Sequence, residues 1–289
     1  MIYYFLLFLS ILLAVLKSSV YNAYAKNGKT TLGSTFSFNA ACYAAASAIS
    51  LGVLIFDFSL PSLPTLICAA FYALIVFGLQ TVSVIAMKIG SMRTTAIFVM
   101  YGMIIPSLAG PMFWHEDFGI LSGVGIVLML ASLWLLKDKP TSTDGSASKS
   151  GLILSIVAFL LSGMAGVMEK IHQSTDGKEE KASFVFVACV IMLLFSVIGI
   201  FTFGKDGGKT KRQIPPAGVI SGLIVGFYSI INLTLAGKLD SMVYYPIANG
   251  GAMLLTVLVS ALVFGERFDR TKAVGTAIGL CGIILLSIA

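Results

Sequence analysis

Ten apolar segments, most of them longer than 20 residues, succeed one another along the chain: 2–25, 36–56, 64–88, 93–113, 118–136, 151–172, 182–203, 214–237, 241–264 and 270–288. No other feature restricts the fold so much. About 20 apolar residues in a helix cross the hydrocarbon core of a bilayer. Lipid offers no partner to a backbone N–H or C=O, so each segment is expected to be helical. The ten segments use most of the 289 residues and leave only short loops. Only 11% of residues are Asp, Glu, Lys or Arg, whereas a soluble domain carries about 25%. With a mean hydropathy of +0.97, this composition excludes a soluble enzyme, a nucleic-acid module and a disordered chain. The expected fold class is an all-α integral membrane protein with ten transmembrane helices.

The polar stretch 137–150 separates five segments from five. Across it the sequence repeats at an offset of 150: Ala86-Met87-Lys88-Ile89-Gly90-Ser91-Met92 aligns with Ala236-Gly237-Lys238-Leu239-Asp240-Ser241-Met242. Further along, Trp114-His115-Glu116 aligns with Phe264-Gly265-Glu266, and Gly125 with Gly275. Internal repeats of this kind are characteristic of transporters. Five is an odd number, so the second half enters the membrane from the opposite face. The expected organisation is a first five-helix repeat at 1–136, a linker loop at 137–150, and a second, inverted repeat at 151–289.

Loop charges orient the chain. The loops on the face opposite Met1 hold 14 Lys and Arg, and those on the Met1 face hold 4, with Lys17 left inside a span. Basic residues favour the cytoplasmic side. A multi-pass protein of the plasma (inner) membrane is expected, with both termini outside. The net charge of +6 is then a topology signal that also suits contact with anionic lipid. Ala23-Tyr24-Ala25 resembles a signal-cleavage site, but Met1 to Leu16 carries no charge. The first segment is therefore expected to remain as a span. Cys42, Cys68, Cys189 and Cys281 all lie inside apolar segments, where they read as small hydrophobes and suggest neither a zinc site nor a disulfide.

The pattern resembles the drug/metabolite transporter superfamily, in particular its ten-span EamA-like members. The resemblance rests on the five-plus-five repeat, on Gly265-Glu266 at the end of the ninth segment, and on a last segment spaced by Gly275, Gly279 and Gly282. Glu116 with Gly119, Gly123 and Gly125 is the first-half counterpart. It implies a transporter. A lysine in the first span, as Lys17 is here, also occurs in many members. The sequence departs from the family at His115, where a glycine commonly precedes the Glu, and at loop 57–63, which carries only Asp57 where others are basic. Many members also keep both termini in the cytoplasm, the reverse of this charge count.

Few side chains inside the spans are polar. Lys17 is the one ionisable side chain well inside a segment, at a cost of about 2.5–3.5 kcal/mol on insertion scales. It reads either as a cavity-facing cation for a substrate carboxylate or phosphate, or as a snorkelling or structurally paired lysine. Gln80 and Ser83 share a helix face at i, i+3, while Tyr228 and Asn232, and Tyr245 and Asn249, do so at i, i+4. Together with Tyr101 they are the candidate substrate-binding residues. Pro246, followed by Asn249-Gly250-Gly251, is able to loosen its helix and turn carbonyls toward a cavity. Glu169 and His172 close the sixth segment and are candidates for gating or admitting substrate. Their Glu-x-x-His spacing also serves metal ligands, but one such motif fixes no site, and no metal is assigned. Glu116 and Glu266 precede the fifth and tenth helices, where a carboxylate suits a helix N-terminus.

No Gly-x-Ser-x-Gly, HExxH or phosphate loop occurs, so no enzyme and no cofactor is expected. The reading is a secondary transporter that moves a small organic metabolite, amino-acid-like by virtue of Lys17, by alternating access. Its partners are a small-molecule substrate and membrane lipid, not nucleic acid, and it is a monomer or homodimer. The alternative is a membrane-embedded enzyme or structural protein using the Glu169/His172 end.

Overall fold

The computed structural model describes residues 2–26, 32–57, 60–89, 92–117, 119–136, 149–203, 215–263 and 270–288. The described residues form eleven helices: α1 (Ile2–Lys26), α2 (Leu32–Asp57), α3 (Leu63–Ile89), α4 (Met92–Tyr101), α5 (Ile104–Trp114), α6 (Ile120–Leu136), α7 (Lys149–Gln173), α8 (Lys181–Phe203), α9 (Pro216–Ala236), α10 (Ser241–Val263) and α11 (Arg270–Ile288). No strand occurs among them. Most of the polar linker, 137–148, lies outside the described residues, as do Gly265 and Glu266. Eight stretches are long and apolar enough to cross a membrane. Two shorter apolar helices, Ile120–Leu136 and Ala273–Ile288, accompany them. The protein is an all-α integral membrane protein.

One expected segment, 93–113, is not a single helix. It divides into α4 and α5 at Gly102-Met103. Pro106 explains the break, because it has no N–H to offer the Gly102 carbonyl and its ring crowds that oxygen. The Gly102 carbonyl takes the N–H of Ile105 instead, at 3.1 Å, and the Gly102 N–H is shared between Phe98 and Val99 carbonyls. The Ser162 hydroxyl of α7 donates to the Val99 carbonyl at 2.8 Å, as a freed carbonyl inside a membrane requires. A Cβ on Gly102 would stand 2.6 Å from the Ser162 Cβ, so only glycine lets α7 come this close. At Pro246, by contrast, α10 continues unbroken. That proline is in the second helical turn, and the loosening considered from the sequence does not occur there.

The chain forms two compact units, and each draws on both halves of the sequence. The first comprises Met1–Leu12, Gly78–Lys170 and Lys238–Ala289, and the second Leu13–Phe77 and Ile171–Gly237. In the first unit α6 lies against α11, and α10 against α5, α6 and α11. In the second, α2 packs on α8 and α9. The hydrophobic effect gives no help between helices in lipid, so close backbone approach has to supply the contact. Gly218, Gly222 and Gly226 make a stripe on α9, and Cβ atoms added there would press into Ala41, the Cys42 carbonyl and Ile49 of α2. The α6–α11 seam is built likewise, with Gly125 and Gly282 facing one another and the Ser132 hydroxyl donating to the Gly275 carbonyl at 2.8 Å. The glycines that spaced the last apolar segment are therefore packing positions.

Candidate functional site

In the second unit, α1 and α9 bring Lys17 and Tyr228 together: the ammonium lies 4.5 Å from the ring centroid. Lys17 is half-buried in a stretch, Ile2–Val20, apolar enough to span a membrane. Among the described residues no carboxylate pairs with it. Asn232, one turn beyond Tyr228, is buried. The Cys42 thiol is 3.9 Å from the Ser221 hydroxyl on the neighbouring faces of α2 and α9.

The same unit holds a polar cluster where α7 ends and α3 and α8 begin. His172 is fully buried, its ring 4.4 Å from that of Phe184. The Gln173 side-chain amide donates to the Lys178 carbonyl at 3.2 Å, which fixes that atom as the nitrogen. The same nitrogen lies 3.0 Å from His172 Nδ1, so Nδ1 accepts and the neutral ring carries its proton on Nε2. That Nε2–H points to the Thr65 hydroxyl at 3.2 Å. Glu180 completes the cluster by accepting from the Ser62 N–H and hydroxyl, both at 2.8 Å. Burial pushes the Glu180 carboxyl up, but the Ser62 N–H and the Thr65 and Ser62 hydroxyls hold it below its ordinary value of 4.5. Both ring nitrogens of His172 and one carboxylate oxygen of Glu180 are thus engaged within the protein.

In the first unit the other candidates are spread over several helices. The Tyr101 hydroxyl donates to the Leu130 carbonyl at 3.1 Å, and the Tyr245 hydroxyl to the Gly166 carbonyl at 2.6 Å. Asn249 donates to the Tyr245 carbonyl at 3.0 Å, one turn back on α10, yet the side chain is exposed. Ser83 on α3 has its hydroxyl oxygen buried without a hydrogen-bond partner among the described residues. Gln80, one turn earlier, is half-buried. Glu169 is half-buried on α7, and the division between the two units passes between it and His172.

Glu116 departs from its expected role. It does act at a helix N-terminus, but at that of α10, far along the chain. Its carboxylate accepts the Ser241 N–H at 2.6 Å and the Ser241 hydroxyl at 3.1 Å. It also pairs with the Lys170 ammonium at 2.5 Å, with both side chains largely buried, at 6% and 12% exposed. Lys170 reaches the Leu239 carbonyl as well, at 3.3 Å. The His115 backbone just before it is left-handed, with φ of 55°. Lys170 and Ser241 were not singled out from the sequence, where only the repeat at Ser91 and Ser241 marked the latter.

A bilayer-spanning helical fold whose few polar side chains gather on particular helices is a polytopic membrane protein. Residues 149–288 match the EamA-like transporter family. The second half of the chain is thus similar to that family, in keeping with the drug/metabolite transporter pattern of the sequence. It is 23% identical over 190 residues, 64% of its length and 62% of the relative's, to an uncharacterized protein of Haemophilus influenzae. It is 38% identical over 73 residues, 24% of its length and 61% of the relative's, to an uncharacterized protein of Sinorhizobium fredii. The chain therefore spans about three fifths of the length of the curated relatives it matches. One solved crystal structure superposes with a TM-score of 0.78 over 98% of both chains at 13% identity. At that identity the likeness is one of fold.

Proposed function

We propose that this protein is a secondary transporter of a small organic metabolite, amino-acid-like in carrying a carboxylate, which it moves by alternating access across the plasma membrane. The two inverted repeats, 1–136 and 151–289, and an orientation with both termini outside belong to the same reading. The observation that carries the reading is Lys17. An ammonium placed within a span needs an anion or water, and no carboxylate among the described residues supplies the anion. The face of Tyr228 offsets the cost by about 0.5–2 kcal/mol, which leaves the charge available to a substrate acid. Exposed Asn249, in the middle of an apolar helix, favours a wet cavity over lipid. Gln80, Ser83, Tyr101, Asn232 and Tyr245 are the further substrate-binding candidates, and Glu169 and His172 the gate. The pairing of α5 with α10 and of α6 with α11, each a first-half helix with its counterpart, supports the repeat. The enzyme reading at the Glu169/His172 end is disfavoured, because both His172 ring nitrogens are occupied by Thr65 and Gln173.

Lys17→Met keeps the apolar stem and removes the charge. Losing one charge-assisted hydrogen bond should cost about 1.5–3 kcal/mol, or roughly 10- to 150-fold in substrate affinity. Lys17→Arg should restore only part, since its planar fork has a different reach. Unchanged affinity in a well-folded Lys17→Met protein would make Lys17 a structural cation and move the substrate class to neutral or cationic solutes. Orientation is checked by a cytoplasm-active reporter, which should be silent after Ala289 and active within 138–148. The reverse pattern would overturn the orientation.

A further inference from the structure

Tyr228 holds the Lys17 ammonium 4.5 Å from its ring centroid, where the negative face of the ring attracts a cation. That contact engages the charge but none of the three N–H donors. Among the described residues nothing accepts a hydrogen bond from them. The Tyr228 hydroxyl, on the rim of the same ring, also has no hydrogen-bond partner among the described residues. The other candidate tyrosines differ, since the Tyr101 and Tyr245 hydroxyls both donate to backbone carbonyls. The neighbouring polar groups are engaged as well. Asn232 has a partner, and the Cys42 thiol, within the field of the ammonium, lies 3.9 Å from the Ser221 hydroxyl. Lys17 and Tyr228 are both half-buried, both in apolar spans, and both in the second unit. An apolar surrounding makes an unmade hydrogen bond costly, and here two uncommitted polar groups share one ring.

We infer that Lys17 and Tyr228 form a two-point site for a singly charged carboxylate, one oxygen accepting from the ammonium and the other from the phenol hydroxyl. The inference rests on the transport reading above and narrows its substrate class. Both bonds are charge-assisted, the kind that is short and strong. Because the ring carries the hydroxyl and also holds the ammonium, a single side chain fixes the spacing of the two donors. Charge counting selects the ligand. One ammonium neutralises one carboxylate. A phosphate monoester carries about −1.5 to −2 at neutral pH, which leaves negative charge uncompensated. α9 has no Lys or Arg, and the next on α1 is Lys26 at its end, about 13 Å further along the helix. An amide carries no charge and leaves the ammonium unpaired. Tyr228 thus has two separable roles. Tyr228→Phe keeps the face that holds Lys17 and loses the hydroxyl, while Tyr228→Leu loses both.

The test uses full-length protein in detergent near neutral pH, with acetate as the probe and chloride holding ionic strength constant. A ligand of the folded state raises the melting temperature according to its concentration relative to its Kd. Acetate should raise it in the parent, and acetamide and methyl phosphate far less. Lys17→Met should lose the effect over the same concentrations. Tyr228→Phe should need about tenfold more acetate, or beyond, for the same rise, and Tyr228→Leu at least as much. Without acetate, Tyr228→Phe should melt close to the parent, because the hydroxyl it lacks bonds to nothing in the protein. A Tyr228→Phe protein that melts well below the parent without acetate would overturn the site by showing the hydroxyl to be structural. Equal acetate affinity in the parent and Tyr228→Phe, lost in Lys17→Met, would overturn the two-point site and leave Lys17 as the carboxylate's partner. Methyl phosphate binding as tightly as acetate would overturn the selection by charge. No effect of acetate on the parent, or one that Lys17→Met keeps, would overturn both this inference and the carboxylate reading of Lys17.

Discussion

Glu180 shows how one side chain at a helix junction sets a pH dependence. Its carboxylate holds the Ser62 N–H and hydroxyl, and its folded-state pKa lies below the ordinary 4.5. A group whose pKa is depressed by folding contributes stability above its unfolded value and loses it as pH falls through the folded one. Glu180→Gln should therefore melt earlier than the parent at pH 7, by an amount equivalent to about 1 kcal/mol for a partly exposed capping carboxylate. The gap should narrow below pH 4.5, where the parent carboxylate itself protonates. Melting curves of both proteins across that range check this. A gap that stays constant with pH would mean that Glu180 acts through shape alone. At this scale the sequence was legible in kind but not in partner. Lys17 and Tyr228 each stood out as polar groups within apolar helices, yet nothing in a single sequence pairs them. Glu116 was recognisable as a carboxylate suited to a helix N-terminus, but the N–H it serves lies 125 residues away.

Among the elements, α2 and α9 make the contact most easily tested. Gly222→Ala would push a Cβ into the Cys42 carbonyl and to 2.7 Å from the Ala45 Cβ. Backbone cannot yield as a flexible side chain does, so the change should cost about 1–3 kcal/mol. Gly52 on α2 is the control, since a Cβ there meets nothing within 4 Å. Gly52→Ala should gain up to about 1 kcal/mol from helix propensity. Thermal unfolding in detergent measures both, and equal effects at the two positions would remove the close-approach account of the seam. The helices themselves were legible because apolar length alone determines them. The break at Gly102-Met103 was not, although its cause, Pro106, was in view. Apolar character runs straight through the break, while the missing N–H acts on the carbonyl four residues earlier.

For the whole molecule, the two compact units cut across the two halves of the sequence, each taking helices from both. Apolar length and the repeat describe the order of helices, but they carry no information on which helices pack together, because every apolar face is equally at home in lipid. The central claim is that this assembly moves a solute without altering it. Purified protein in sealed vesicles preloaded with candidate amino acids and other carboxylate-bearing metabolites, and assayed for counterflow of labelled solute, tests it most directly. The account predicts saturable exchange, recovery of the label in chemically unchanged solute, and a loss of affinity of roughly 10- to 150-fold in Lys17→Met. Flux that never saturates, or a chemically altered product whose formation depends on Glu169 or His172, would contradict it.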